Sequence, residues 1–186
     1  TGGFRLKSYF GSISLTAQGG DADIFVARYS SNGDVIWVKK AGGRINDYGR
    51  ALAIDSASNL FITGNYGLDA SFNGNVIQGA DSAEIYFASW DVNGNFKWVL
   101  PVTGPTDDPD PGRFIEMGLS ICTDLSGNIY GSGAYRYNSQ FGSTLLKEWD
   151  HTEVYLTKIN PNSTARTNEL SAEILNENQI TGADHF

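Results

Sequence analysis

Apolar residues in this chain fall into short runs separated by turns rich in Gly, Asn, Asp and Ser. Runs of this kind, rich in β-branched and aromatic residues, predict strands. Apolar side chains within the runs are nearly continuous instead of alternating with polar ones, which is typical of strands covered on both faces. The pattern therefore predicts an all-β protein in which sheets stack against one another.

The same landmarks recur in three successive copies. Each copy has a Thr-Gly or Ser-Gly pair, a Phe nine residues after it, and then an acidic residue that opens an apolar strand. The Phe landmarks are Phe10, Phe72 and Phe141. The acidic residues open the strands Asp23–Tyr29, Glu84–Trp90 and Glu153–Ile159. Because the copies share one register, we expect Ile24, Ile85 and Val154 to occupy equivalent positions in successive sheets.

Each complete copy divides into four strands. In the second copy these are Ala51–Asp55, Leu60–Thr63, Glu84–Trp90 and Phe96–Val99. An Asn-Gly pair, Asn32-Gly33 or Asn93-Gly94, precedes the fourth strand and favours a type I′ hairpin turn with positive φ at both residues. Four antiparallel strands per repeat, with Gly and aromatic landmarks, predict a β-propeller, here about three four-stranded blades of a larger ring.

The repeat boundaries divide the chain into four parts. Residues 1–43 are expected to form the second half of a first blade, 44–103 a second blade, 104–162 a third blade with an acidic insertion, and 163–186 an irregular segment that starts a further blade.

The third copy departs from the pattern because it lacks both the Asn-Gly turn and the Trp strand after it. Residues 171–175 and 178–182 resemble the first two strands of another copy. The shortening leads to the hypothesis that residues are missing from the sequence between 160 and 172. The opening Thr1-Gly2-Gly3 likewise reads as the middle of a longer protein.

Composition narrows the range of functions. The net charge of −8 and the pI near 4.6 argue against a nucleic-acid binder, which needs basic patches, and against docking on anionic lipid. No apolar run reaches the roughly 20 residues needed to cross a bilayer. The single cysteine, Cys122, lies in an apolar run and is expected to be a buried thiol. The two histidines, His151 and His185, have no catalytic motif around them.

Three carboxylates, Asp107, Asp108 and Asp110, lie close together in a Pro-containing insertion. Together with water and carbonyl oxygens they form the kind of oxygen set that Ca²⁺ takes, so they are the metal candidates. A solvated acidic loop is the more common outcome for such a segment. Asp91–Asn95 and Asp124–Asn128 faintly resemble Ca²⁺ loops but fall where the repeat needs tight turns. No other cofactor is indicated.

Aromatic residues are the remaining candidates for ligand contacts. Most are expected to pack between blades, because inter-blade cores are built from such side chains. Tyr135, Tyr137 and Trp149 flank loops and are the candidates for exposed contacts, although packing is favoured for each.

Two segments resemble the SBBP-type β-propeller repeat of bacteria. Asp47–Asp55 matches the first half of that repeat, D-Y-G-x-A-I-A-V-D, and Asp23–Gly43 matches its second half, D-I-F-V-A-K-Y followed by an N-G turn and a Trp strand. The resemblance covers residues 1 to about 162. It implies a propeller fold in a secreted or cell-surface protein, and it implies neither a single activity nor any catalytic residue.

These observations favour a non-enzymatic interaction module that binds carbohydrate or protein or serves as a scaffold. The alternative is part of a catalytic propeller, a glycoside hydrolase or polysaccharide lyase, whose active residues lie outside this sequence. The end blades of a partial ring would expose apolar faces. The partners expected are therefore the remaining blades of the same chain, a second copy or another subunit, and neither nucleic acid nor membrane insertion is expected.

Overall fold

A computed structural model of the chain describes residues 1–19, 21–79, 83–104, 116–136, 138–147, 152–160 and 172–174. These residues form strands and turns that assemble into antiparallel sheets, so the predicted all-β class is confirmed. Within these ranges no helix is long and apolar enough to cross a membrane.

The strands follow the three copies of the repeat. The first copy contains β1 (Gly2–Phe4), β2 (Lys7–Phe10), β3 (Ile13–Thr16), β4 (Asp23–Tyr29) and β5 (Val35–Gly43). The second contains β6 (Tyr48–Ile54), β7 (Leu60–Tyr66), β8 (Asp69–Phe72), β9 (Asn75–Gln78), β10 (Glu84–Trp90) and β11 (Phe96–Pro101). The third contains β12 (Met117–Thr123), β13 (Ile129–Tyr135), β14 (Ser139–Phe141), β15 (Thr144–Leu146), β16 (Glu153–Ile159) and β17 (Ala172–Ile174).

Each copy contributes one main sheet. The first sheet has the order β1-β4-β5-β8-β9, in which the last two strands come from the second copy; the second has the order β6-β7-β10-β11 and the third β12-β13-β16-β17. Pairing is in the same register each time, with Ile24 opposite Gly3, Ile85 opposite Asn65 and Val154 opposite Ala134. The predicted equivalence of Ile24, Ile85 and Val154 is therefore confirmed.

The fourth strand of the third sheet differs from the expectation. Ala172–Ile174 pairs antiparallel with β16, in the place that β11 takes beside β10. The third sheet thus has a fourth strand in Ala172–Ile174, a segment that the sequence assigned to the first strand of a further copy. Residues 161–171, between the two strands, lie outside the described residues, and so does the expected second strand of a further copy, 178–182. The hypothesis of a missing segment between 160 and 172 therefore stays a prediction.

Side chains of the third strands show how the sheets stack. All of β10 is buried, because the second sheet lies between two apolar clusters shared with its neighbours. In β4, Ile24 and Val26 face the second sheet and are buried, whereas Phe25 is half-buried. In β16 the alternation is reversed, since Tyr155 is buried and Val154 is 83% exposed. The first and third sheets therefore each have an outer face.

A hairpin between the second and third strands of each copy carries the Phe landmark. The three landmark rings pack on the third strand with nearly the same geometry, at centroid distances of 4.9, 4.9 and 4.7 Å. These pairs are Phe10–Phe25, Phe72–Tyr86 and Phe141–Tyr155. The landmark is thus a packing residue, as predicted.

The turns before the fourth strands differ from the type I′ expectation. Gly33 and Gly94 have φ of 87° and 79°, whereas Asn32 and Asn93 are not among the residues with positive φ. The ladder shifts register at the adjoining strand ends, which fits a type I turn followed by a left-handed Gly and a bulge.

Candidate functional site

A cleft of about 290 Å³ opens between the second and third sheets, at the end of the strands where their hairpin turns lie. Its walls combine aromatic and polar side chains from the second sheet with a turn glycine of the third sheet. The lining residues are Asp55, Asn59, Phe61, Ser89, Lys97, Trp98 and Gly127. None of them was singled out from the sequence as a ligand contact.

One repeat position in the cleft wall carries a small residue. At the interface between the first and second sheets, Arg28 and Trp37 face each other across strands and both donate to the carbonyl of Val92, at 2.8 and 3.0 Å. The same cross-strand pair in the second sheet is Ser89 and Trp98. Ser89 thus stands where the first sheet has the larger Arg28.

Polar groups in the cleft are held in place by one another. The Asp55 carboxylate accepts the backbone N–H and the side-chain amide N–H of Asn59, both at 2.8 Å. The side-chain Oδ1 of Asn59 accepts from Lys97 Nζ at 2.7 Å. The Ser89 hydroxyl is fully buried and has no hydrogen-bond partner in the described part of the chain. A buried hydroxyl without a partner is costly.

The apolar wall of the cleft is formed by two rings. Trp98 is half-buried and its ring packs against that of Phe61, with centroids 6.0 Å apart and an interplanar angle of 34°. Because Phe61 is buried, it fixes the indole in place. An indole held in this way offers a rigid apolar surface at the edge of the polar group set.

A second concentration of charge lies between the first and second sheets. Asp47 accepts backbone N–H bonds from Gly43 at 2.7 Å and Gly67 at 3.0 Å. Asp23 lies 3.2 Å from Lys40 Nζ and accepts the backbone N–H of Gln18. Both carboxylates are fully buried.

The two carboxylates approach each other at Gly42. A Cβ built on Gly42 would lie 2.8 Å from Asp23 Oδ1 and 2.9 Å from Asp47 Oδ2, and the φ of 138° also excludes other residues. Burial raises the pKa of Asp47 to about 7, against the two N–H bonds that lower it and with a further rise from Asp23. Burial also raises the pKa of Asp23, although Gln18 and Lys40 oppose the rise.

This acidic pair is structural. A glycoside hydrolase needs two carboxylates that reach the substrate and a water molecule. Asp23 and Asp47 are closed off from solvent, and Asp47 uses both of its oxygens to join Gly43 of the first sheet to Gly67 after the second strand of the next. The pair therefore ties neighbouring copies together.

The turns that faintly resembled Ca²⁺ loops use their carboxylates internally. Asp124 Oδ1 accepts the backbone N–H groups of Ser126 and Asn128, and Oδ2 accepts the Asn128 amide at 2.6 Å and the Tyr130 hydroxyl at 3.1 Å. The side-chain bond from Asn128 is the main reason that the pKa of Asp124 is lowered. Asp91 and Asn95 form the same kind of pair in the turn between β10 and β11.

The metal candidates were predicted elsewhere in the chain. Asp107, Asp108 and Asp110 lie outside the described residues, so the calcium site stays a prediction. Within the described ranges, no three His, Cys, Asp or Glu side chains are grouped in a way that would hold a metal ion.

Other residues singled out from the sequence have mixed outcomes. Tyr135 is 8% exposed and belongs to the core between the second and third sheets, as its packing interpretation predicted. Cys122 is exposed, so the expectation of a buried thiol was wrong. Its neighbour Ile121 points into the core, and alternation along β12 places Cys122 on the outer face. Tyr137, Trp149, His151 and His185 lie outside the described residues.

No protein-family model matches the sequence, and no curated protein matches it. The geometry of the cleft and of the outer faces therefore carries the functional argument.

Proposed function

We propose that this chain is a segment of a β-propeller and acts as a non-enzymatic interaction module or scaffold in a secreted or cell-surface bacterial protein. Further blades of the same kind complete its ring. The location follows the resemblance to the SBBP-type repeat. The observation that carries the rest of the proposal is the way in which each copy reaches over to the sheet before it.

The landmark hairpin of one copy extends the fourth strand of the preceding sheet. β8 of the second copy pairs with β5 of the first, placing Phe72 opposite Ala41 and Ser71 opposite Gly42. In the third copy, Gln140 of β14 bridges Thr103 just beyond β11 in the corresponding place. The repeat thus makes its connections between sheets as well as within them.

The hairpin of the first copy has the same form without a preceding sheet. β2 and β3 pair only with each other among the described strands, and Phe10 packs on Phe25 as its counterparts do on theirs. The free edge of β2 is where the fourth strand of another blade would pair. Exposed edges of this kind are positions of strand addition.

The outer face of the third sheet also favours a further blade as its partner. Val154 and Leu156 stand in register with Ile85 and Phe87, which are fully buried against the next sheet. Val154 itself is 83% exposed. A surface that is covered by a further sheet in the preceding copy is best covered by a further sheet here, from the same protein or from a second copy.

The test is the oligomeric state of this chain alone, measured by sedimentation velocity over a range of micromolar concentrations. We expect concentration-dependent association, because the first sheet and the landmark hairpin β2–β3 of one copy can cover the outer face of the third sheet of another. Val154→Lys should abolish it, since a charge would be buried at the contact. The matched control is Val76→Lys, because Val76 is 59% exposed on a strand away from this face. A stable monomer at all concentrations contradicts the proposal, as does equal loss of association in both variants.

The catalytic alternative stays a prediction, since its active residues would lie outside this sequence. The acidic pair Asp23–Asp47 does not favour it, because neither carboxylate reaches solvent.

A further inference from the structure

The cleft between the second and third sheets has the properties of a binding site for one neutral sugar ring. We infer that it takes a monosaccharide unit, with the ring against Trp98 and its hydroxyl groups on Asp55 and Lys97. This site lies between sheets, away from the outer faces, so the inference is independent of the proposed association through those faces.

Size limits the ligand. The cleft holds about 290 Å³, near the lower end of the roughly 300–1,000 Å³ range of small-molecule sites. That volume suits a single ring rather than a chain of several. At the preceding interface the place of Ser89 is taken by Arg28, which donates to the Val92 carbonyl.

Charge indicates that the ligand is neutral. The lining carries one carboxylate, Asp55, and one ammonium, Lys97, so its charges balance. The two groups are linked through the side chain of Asn59. A neutral polyhydroxylated ligand satisfies both groups, because each hydroxyl donates and accepts.

Unused hydrogen-bonding capacity supplies the polar recognition. Each Asp55 oxygen accepts one N–H and keeps a lone pair, and Lys97 has donors beyond the one bound by Asn59.

The apolar wall supplies the rest. Trp98 is fixed by Phe61 at a centroid distance of 6.0 Å. A sugar ring has an apolar C–H face with hydroxyls around its edge. A rigid indole bordered by the Asp55 acceptor and the Lys97 donor matches that distribution.

The experiment is titration of the whole chain with the methyl glycosides of glucose, galactose, mannose and N-acetylglucosamine, each followed by saturation-transfer NMR and calorimetry. Inorganic phosphate serves as the comparison probe. We expect at least one glycoside to bind with a Kd of about 1 mM or tighter, and phosphate not to compete. Absence of binding by all four glycosides, or competition by phosphate, overturns the inference.

Two variants place the binding in the cleft. Ser89→Arg restores the side chain found at the equivalent position of the first sheet and should remove binding by filling the space. Lys97→Ala changes an exposed side chain, so the fold is retained, and should weaken binding at least about tenfold. Lys7→Ala, an exposed lysine of the first hairpin, is the matched control and should bind normally. Glycoside binding that is unchanged in Lys97→Ala contradicts the site even if Ser89→Arg fails to fold.

Discussion

Gly118 lies so close to Thr63 that no side chain fits between them, and a Cβ built on Gly118 would overlap the threonine Oγ1. The threonine is itself fixed, because its hydroxyl donates to the Tyr86 carbonyl at 2.8 Å. Gly49 has the same relation to Thr1 one copy earlier. The first strand of a copy is thus held against the second strand of the preceding sheet by the same contact twice.

Gly118→Ala should lower the free energy of unfolding by about 1–3 kcal/mol, because the added methyl group forces Thr63 or the strand to shift. Urea denaturation measures the loss. Gly104→Ala is the matched control, since a Cβ there would meet the nearest atom, a Glu84 carboxylate oxygen, at an ordinary 3.4 Å. Equal stability of Gly118→Ala and the unchanged chain would falsify the close contact between Gly118 and Thr63.

Phe72→Ala should cost about 3–5 kcal/mol, as expected for loss of a fully buried ring. Phe10→Ala removes the equivalent ring from the first copy and should cost less, because Phe10 is only half-buried at the uncovered end. Both are measured by urea denaturation at one pH. If the two losses are equal, burial does not differ between copies and the stacking order is wrong.

The third strands could be predicted to the residue because an acidic residue opens each one and an uninterrupted apolar run follows. β4, β10 and β16 begin and end where the sequence placed them. The landmark hairpins could not be predicted in the same way, since β2 and β9 are short and mostly exposed. Such strands carry no apolar run, and their pairing depends on a neighbouring sheet.

The cleft shows a different limit. The change from Arg28 to Ser89 at one repeat position is visible once the copies are aligned. Whether the smaller residue leaves a cavity depends on how closely the sheets approach and on where Trp98 and Lys97 lie, which the spacing of residues does not contain. The fourth strand of the third sheet was missed because Ala172–Ile174 lacks both the Asn-Gly turn and the Trp that identify the other two.

Asn73→Ala and Asn93→Ala should differ although both residues precede a turn glycine. Asn73 has a φ of 53°, and the following Gly74 has one of 86°, so this hairpin has the positive φ at both residues that the sequence predicted for the other Asn-Gly pairs. Alanine tolerates that conformation poorly, so Asn73→Ala should cost about 1 kcal/mol.

Asn93→Ala should cost much less, since only Gly94 has positive φ in its turn and the Asn93 backbone N–H keeps its bond to Asp91. Thermal unfolding of the two variants side by side provides the comparison. A larger loss for Asn93→Ala than for Asn73→Ala would contradict the turn assignment.

Asp47 should make the protein less stable as the pH rises from about 4 to 7. The pKa of Asp47 is about 7 in the folded chain, against an ordinary value of 3.8. Between these values the folded chain holds a proton that the unfolded chain has released, so the free energy of unfolding falls with rising pH, by at most roughly 4 kcal/mol. Asp47→Asn removes this titration and should flatten the slope of the free energy of unfolding against pH, whatever its effect on absolute stability.

The control is Asp91→Asn. The pKa of Asp91 is lowered by Asn95, so the stability that Asp91 contributes is lost only as the pH falls below the ordinary value. Urea denaturation at several pH values between 4 and 7 measures the slopes, and an unchanged slope in Asp47→Asn shows that Asp47 is ionised throughout this range in the folded protein.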